Sequence, residues 1–377
     1  MPRALGLSAL AVALAGGAVV AQAAAPPVLH GRSAAVLNMT TGQLLWTSSG
    51  RTRLPMASTT KLMTALVALQ LMDGRTGATM VVPPEVSQAY GEVLFLVPGE
   101  HYTFLQLLDG MLLPSANDAA IAVAVDSAGS LPAFVARMNA EAAVLGLTDT
   151  HYANPDGLDD PDHYSSADDL ARLGLAAMAN PVIRGIVDLP YATIPAPSGG
   201  GTEVAGNINA LIGSYPGADG VKTGYTSEAL NVVVGSAQQN GHSVIAVVMG
   251  EPQATFWSDE ERLLSYGLTL AAAGAGSAAP AAAAPQDLDA ITLPGHSALP
   301  AATPGAPGGA VAASAPRPAQ PAVRRPVGRG LLLGLALAGL GVGALGWTWR
   351  RARVASAEVS LDRRSRRLAQ LVPPQPR

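Results

Sequence analysis

The 377-residue chain contains no cysteine and only two lysines, Lys61 and Lys222. The first absence excludes disulfide staples, thiol nucleophiles and cysteine-ligated metal. The second narrows proton chemistry, because the other basic side chains are arginines, whose guanidinium does not give up its proton in a protein. A chain that does without lysine almost everywhere keeps these two for proton transfer or for a compact point charge. Positive charge is also scarce in the central part. Residues 26–270 hold ten basic against 23 acidic side chains, a formal charge of −13. That surface would be repelled by nucleic acid. Internal repeats are lacking too.

The two ends are read separately. Met1-Pro2-Arg3 precedes an uncharged run of small and apolar residues from Ala4 to Val20, followed by Ala21-Gln22-Ala23. This is the pattern of a secretory signal peptide, here residues 1–23. A second apolar run, residues 330–349, carries no charge over twenty positions. A helix of that length spans about 30 Å, the thickness of a bilayer core. Trp347 and Trp349 end it, and residues 350–377 carry eight arginines against Glu358 and Asp362. The excess predicts a cytoplasmic tail on a single-pass cell-membrane protein whose preceding head is extracytoplasmic. Between them, residues 271–328 are Ala-, Pro- and Gly-rich, a composition that predicts a disordered tether. Its 58 positions reach at most about 180 Å. The folded domain is therefore residues 26–270, long enough for a sizeable core.

Within that domain, Ala34–Met39 and Gln43–Trp46 flank Thr40-Thr41-Gly42 and predict a hairpin. Ser58 is expected in the first turn of a buried helix running to Met72, with further helices over residues 117–126 and 131–145. Valine-rich runs at 231–237 and 243–250 predict a second hairpin, with Lys222 just before it or on a neighbouring strand, and a helix over 258–267 closes the domain. Strands at both ends with helices between them predict an α+β domain, an antiparallel sheet with an inserted helical lobe and a groove where the two meet.

Three short motifs carry the chemistry: Ser58-Thr59-Thr60-Lys61, Ser115-Ala116-Asn117 and Lys222-Thr223-Gly224. Residues three apart on a helix share a face, so Lys61 can reach Ser58 and act as the base that a serine nucleophile requires. Burial, the positive helix end and a second lysine would each lower the pKa of Lys61 toward that role. The Ser58 backbone N–H, near the helix start, is free to face a developing oxyanion. Alone, each motif has an ordinary structural explanation, such as a helix segment, an N-cap or a turn. Their conjunction, using both lysines of the chain, does not.

These motifs resemble the signature of the penicillin-recognising serine enzymes. Their flanks, Met56 to Leu66, Gly110 to Ala120, Asn154 to Leu158 with His163 to Ala171, and Asp219 to Thr226, are similar to those of the low-molecular-mass D-alanyl-D-alanine carboxypeptidases. The resemblance implies a penicillin-binding, serine β-lactamase-like fold without cofactor or metal. It implies that Ser58 forms an acyl-enzyme, Lys61 is the general base and Ser115 relays a proton to the departing D-alanine. Asn117 would hold the peptide amide and Lys61. Lys222 and Thr223 would bind the terminal carboxylate, and the backbone N–H groups of Ser58 and Tyr225, beside Gly224, would form the oxyanion hole. Substrates would be peptidoglycan stem peptides ending in D-Ala-D-Ala, with β-lactams as covalent inhibitors. The chain departs from the family pattern at Leu230, which follows Ala229 where relatives often have glycine. It departs again in its tether and membrane span, where many relatives have a β-rich domain and an amphipathic anchor.

Other readings use the same scaffold: a D,D-endopeptidase, or a transpeptidase with an amine acceptor. A non-catalytic peptidoglycan- or penicillin-binding module would be expected to have lost a catalytic position, and all are present. No Glu-x-x-Leu-Asn element points to a β-lactamase. His101, His151 and His163 lack metal-ligand spacing and read as polar surface or supporting residues. The acidic run Asp156–Asp169 reads as a solvated loop with helix-capping carboxylates, and its spacing is not that of an EF-hand calcium loop.

Overall fold

The computed structural model describes residues 25–274. Nine strands are formed among them: β1 (Ser33–Asn38), β2 (Leu44–Ser48), β3 (Thr79–Val81), β4 (His101–Thr103), β5 (Tyr191–Pro195), β6 (Thr202–Gly206), β7 (Ala218–Thr226), β8 (Leu230–Gln239) and β9 (His242–Glu251). Five of them make one antiparallel sheet in the order β2-β1-β9-β8-β7, while β3-β4 and β5-β6 are separate two-stranded pairs. The helices are α1 (Lys61–Leu71), α2 (Phe104–Leu112), α3 (Asn117–Ala128), α4 (Leu131–Val144), α5 (Ala167–Ala179), α6 (Pro181–Val187) and α7 (Phe256–Ala272). Both expected hairpins form, and the Lys222 motif lies on the neighbouring strand β7. Six of the seven helices fall between β2 and β7, which makes them the inserted lobe.

The central strands are apolar throughout because both their faces are covered. On one face, Ala35 and Leu37 of β1, Val232 and Val234 of β8, and Ile245, Val247 and Met249 of β9 join the core of the helical lobe. On the other, Ala34, Val36, Val233, Val244, Ala246 and Val248 pack against Leu263, Leu264 and Leu268 of α7. The alternation follows the period of two of a pleated strand, with valine and isoleucine favoured on both sides. A glycine on each flanking helix permits close approach. A Cβ at Gly174 of α5 would lie 2.9 Å from Val234, and one at Gly267 of α7 only 2.5 Å from Val36.

The helices α2 and α5 were not anticipated from the sequence, although each begins at a recognisable cap. Thr103 and Gln106 form a reciprocal capping box at α2. Ser166 caps α5, whose first turn holds Asp168 and Asp169. The acidic run is therefore only partly a solvated loop. Asp169 is buried and accepts bonds from Asp149 N at 2.7 Å and Thr150 Oγ1 at 2.8 Å, and Asp156 is buried beside Lys61. The closing helix runs on to Ala272, two residues past the expected domain limit. The expected signal peptide, most of the tether, the membrane span 330–349 and the tail 350–377 lie outside the described residues. Among the described residues no single helix is long and apolar enough to cross a membrane.

The sheet and α7 are expected to be intolerant of extra volume at their contact. Gly267→Ala places a methyl within 2.5 Å of Val36 Cγ1, so overpacking should cost about 1–3 kcal/mol. A lowered urea midpoint with unchanged slope would show it, and an unchanged midpoint would contradict this packing.

Candidate active site

Ser58 lies in the 3-10 turn Ala57–Thr60, one turn earlier than a regular helical position and leading directly into α1. The turn is held from several sides. Thr59 Oγ1 donates to Met56 O at 2.7 Å and Thr60 Oγ1 to Ala57 O at 2.8 Å. Leu54 exchanges backbone hydrogen bonds with Ser165, just before α5. Ala57 itself has φ +49°, a left-handed conformation that costs about 1–2 kcal/mol for a residue with a Cβ. Such strain persists only where the surroundings over-determine it.

The segment Ala153–Gly157 supplies that over-determination. Lys61 Nζ donates to Asp156 O at 2.6 Å, and Thr64 Oγ1 to Pro155 O at 2.6 Å. His163, buried, bridges the two segments: Ala153 N donates to its Nδ1 at 3.0 Å, and its Nε2 is 2.7 Å from Thr60 Oγ1. An Nδ1 that accepts leaves the proton on Nε2, which donates to Thr60, which in turn donates to Ala57 O. Burial pushes the imidazole down to about 4, so it is neutral at physiological pH. Gly157, at φ +92°, lies so close that a Cβ would be 2.1 Å from Ala57 O.

Lys61 is fully buried, and its amine has three partners: Ser58 Oγ at 2.9 Å, Asn117 Oδ1 at 2.7 Å and Asp156 O. Two of these are carbonyl oxygens that can only accept. A neutral amine spends its two N–H groups on them and turns its lone pair toward the Ser58 hydroxyl. Burial lowers the pKa of Lys61 to about 8, against the opposing pull of Asp156, Glu92 and Asp118. Lys222 is buried as well, and its pKa falls well below the ordinary value, first by burial and then by the charge of Lys61. Burial leads for both amines. The charge of Lys61 further lowers Lys222, whereas the charges acting on Lys61 are carboxylates that raise it, so the expected lowering of Lys61 by a second lysine gives way to burial.

The second motif enters at the loop before α3. Ser115 has φ +70°, and its Oγ is buried without a hydrogen-bond partner. Asn117 joins three parts of the site: its Oδ1 takes Lys61, its Nδ2 donates to Tyr90 O at 2.7 Å, and its N donates to Glu92 O at 2.7 Å. Asp118 accepts from Leu94 N and Leu96 N at 3.0 Å, fixing the rest of that loop. The third motif lies on the edge strand β7. Lys222 Nζ donates to Thr223 O at 2.9 Å. Gly224 passes so near the nucleophile that a Cβ would be 2.6 Å from Ser58 N. Tyr225 is 61% exposed at the strand's outer side. The structure thus brings Ser58, Lys61, Asn117 and Asp156 into direct contact and sets Gly224 against the Ser58 backbone. The structural parts played by Thr60, Asp118 and Gly157 gave no signal in the sequence, while His163 takes the supporting one of its two expected roles.

The profile of the D-alanyl-D-alanine carboxypeptidase family matches residues 20–253. The D-alanyl-D-alanine carboxypeptidase DacB2 of Mycobacterium tuberculosis is 41% identical over 241 residues, 62% of this chain and 81% of that protein. DacF of Bacillus subtilis is 35% identical over 58% of this chain, which spans only 57% of that relative. Among solved structures, a D-alanyl-D-alanine carboxypeptidase from M. tuberculosis H37Rv aligns at TM-score 0.63 and 38% identity, covering 66% of this chain and 95% of the other. A Streptomyces K15 DD-transpeptidase aligns at TM-score 0.62 and 32% identity, covering 66% of this chain and all of the other.

The contact between Gly157 and the nucleophile turn has a measurable consequence. Gly157→Ala should displace Ala57 and Ser58, and misplacement on the order of 1 Å costs roughly 100-fold in rate. Acylation of Ser58 by a β-lactam, followed by mass, should slow by that order while helical content is retained. An unchanged rate would mean the contact does not position the serine.

Proposed function

We infer the working of the site from the premise that this chain belongs to the D-alanyl-D-alanine carboxypeptidase family. It is a serine hydrolase that removes the terminal D-alanine from peptidoglycan stem peptides. The observation that carries the residue assignment is the buried Lys61 amine, bonded to two obligate acceptors and to the Ser58 hydroxyl.

In the proposed cycle Ser58 Oγ attacks the carbonyl carbon of the penultimate D-alanine as its proton passes to Lys61 Nζ. The resulting oxyanion is received by the backbone N–H groups of Ser58 and Tyr225. The bond between carbonyl carbon and nitrogen then breaks. The leaving amine takes its proton from Lys61 through Ser115, whose unpartnered hydroxyl is free for that transfer. Water hydrolyses the ester in a second round with Lys61 again as base. Asn117 orients Lys61 and the scissile amide. Lys222, with Thr223, receives the terminal carboxylate, and Gly224 lets β7 lie directly against the Ser58 turn. A carboxylate at Lys222 favours its charged form, and that charge in turn drives Lys61 toward the neutral form that the first step requires.

The reading extends to the whole chain. The folded head, residues 26–270, acts outside the cytoplasmic membrane after removal of residues 1–23. Residues 271–328 tether it, 330–349 span the bilayer, and 350–377 face the cytoplasm. The signal-peptide pattern and the arginine-rich end of the chain support that topology. β-Lactams are expected to acylate Ser58. Because a structural relative is described as a DD-transpeptidase, an amine acceptor is a reasonable second fate for the acyl-enzyme, and an assay containing one would reveal it.

Three expectations follow for the full-length protein. With a pentapeptide ending in D-Ala-D-Ala, it should release free D-alanine, and Ser58→Ala should not. Release without dependence on Ser58 would overturn the assignment. The sign of the pH effect follows from Lys61, whose folded pKa is about 8. The base form grows as pH rises, so kcat/KM should climb roughly tenfold between pH 7 and pH 9 as far as Lys61 alone sets it. A flat profile would contradict a lysine base. Finally, Lys222→Arg keeps the charge but replaces a compact ammonium with a bulky fork. It should lower kcat/KM by at least about tenfold, and near-normal turnover would remove Lys222 from the proposed role.

A further inference from the structure

A second cluster of chemically able side chains lies on the opposite face of the sheet, where β9 ends and α7 begins. Glu251 is the last residue of β9, and Asp259 and Glu260 lie near the start of α7. All three carboxylic side chains are fully buried. Positive charge does not balance them. Arg262 Nη1 bonds Asp259 Oδ1 at 3.0 Å, and His30, 52% exposed, places Nδ1 2.9 Å from Asp259 Oδ2. Burying carboxylates without compensation costs far more than one ion pair returns.

The arrangement is specific at three of these residues. One donor atom from each of His30, Glu251 and Asp259 lies within 4.8 Å of the others. Glu251 Oε1 accepts from Thr255 Oγ1 at 2.7 Å, whereas its Oε2 is buried without an N–H or hydroxyl donor, and the Glu251 carboxyl faces that of Asp259, with which it can only share a proton. Gly31 allows that carboxyl to sit against the chain, since a Cβ there would be 2.4 Å from Glu251 Oε2. Glu260 adds a further buried carboxyl beside Gly235. An imidazole and two carboxylates around one point, one oxygen of them unused, form the donor set of a zinc-type ion. Tetrahedral zinc with ligand distances of about 2.0–2.2 Å separates its ligand atoms by roughly 3.4 Å, within side-chain adjustment of this cluster.

We propose that His30 Nδ1, Glu251 and Asp259 form a structural site for a divalent, zinc-type cation that ties the segment preceding β1 to β9 and α7. The ion takes the place of the Nδ1 proton of His30, which leaves to solvent, and water completes the coordination through the exposed side of the imidazole. Arg262 keeps the outer oxygen of Asp259 and orients it. The Ser58 site and its chemistry do not require this ion. Sequence spacing could not reveal the site, because His30 stands more than 200 positions before its partners.

The test uses the full-length chain without an affinity tag, in detergent, stripped of metal with a chelator and titrated with zinc alone. The expected result is one zinc per chain with micromolar affinity and a higher melting temperature. His30→Ala, at an exposed position that should fold normally, is expected to weaken binding at least tenfold, and Glu251→Gln to abolish it. D-Alanine release should stay within twofold in every case. Absence of zinc binding by the parent chain below millimolar concentration would overturn the site and leave a proton shared between Glu251 and Asp259 in its place. Equal binding by the parent and both variants would overturn it as well, since the ion would then sit elsewhere.

Discussion

An amine sealed from water can serve as a base only if every other demand on it is met, and the architecture around Lys61 is arranged by that constraint. Its partners are drawn from three separate parts of the chain: the nucleophile turn, the start of α3 and the segment Ala153–Gly157. Burial destabilises the ammonium, and the surrounding carboxylates of Asp156, Glu92 and Asp118 limit how far the shift goes. The outcome, about 8, is a base strong enough to take a serine proton and weak enough to be half deprotonated near pH 8. Lys222 sits under the same burial with less hydrogen bonding, which suits a group waiting for an anion.

Geometry at Ser58 depends on rigid supports that take no part in bond making. The left-handed Ala57, the side-chain bond from Thr60 and the neutral His163 bridge tie the turn to the Ala153–Gly157 segment. Gly157 and Gly224 lie against the turn from two directions at distances no Cβ could occupy. Gly224 is thus explained by close approach, and Gly157 by close approach together with its left-handed backbone at φ +92°. The sheet fixes the second of them: β7 is an edge strand, held on one side by β8, with its other side turned to the site.

Much of this was readable in the chain itself. The two-lysine economy and the three motifs marked the residues that meet at the site, and the valine-rich runs marked the central strands. Helix α5 was hidden because the acidic residues that open it resemble a solvated loop, and its apolar face emerges only after Asp169. The partners of His163 were equally hidden, since Ala153 and Thr60 are joined to it only by tertiary folding. Leu230 shows a further limit. Its φ of +56° is a left-handed conformation that favours glycine, which the residue type alone did not reveal. The buried carboxyl cluster at α7 also gave no local signal, because charge compensation is decided by contacts remote in sequence.

The most direct test of the account is the ionisation of Lys61 in the folded protein. With only two lysines in the chain, selective 13C labelling of lysine side chains yields two resonances, assigned by Lys222→Arg. The account expects the Lys61 signal to titrate near pH 8, well below a free lysine. A Lys61 that keeps its proton to about pH 10.4, as an unperturbed lysine does, would contradict its role as the base for Ser58.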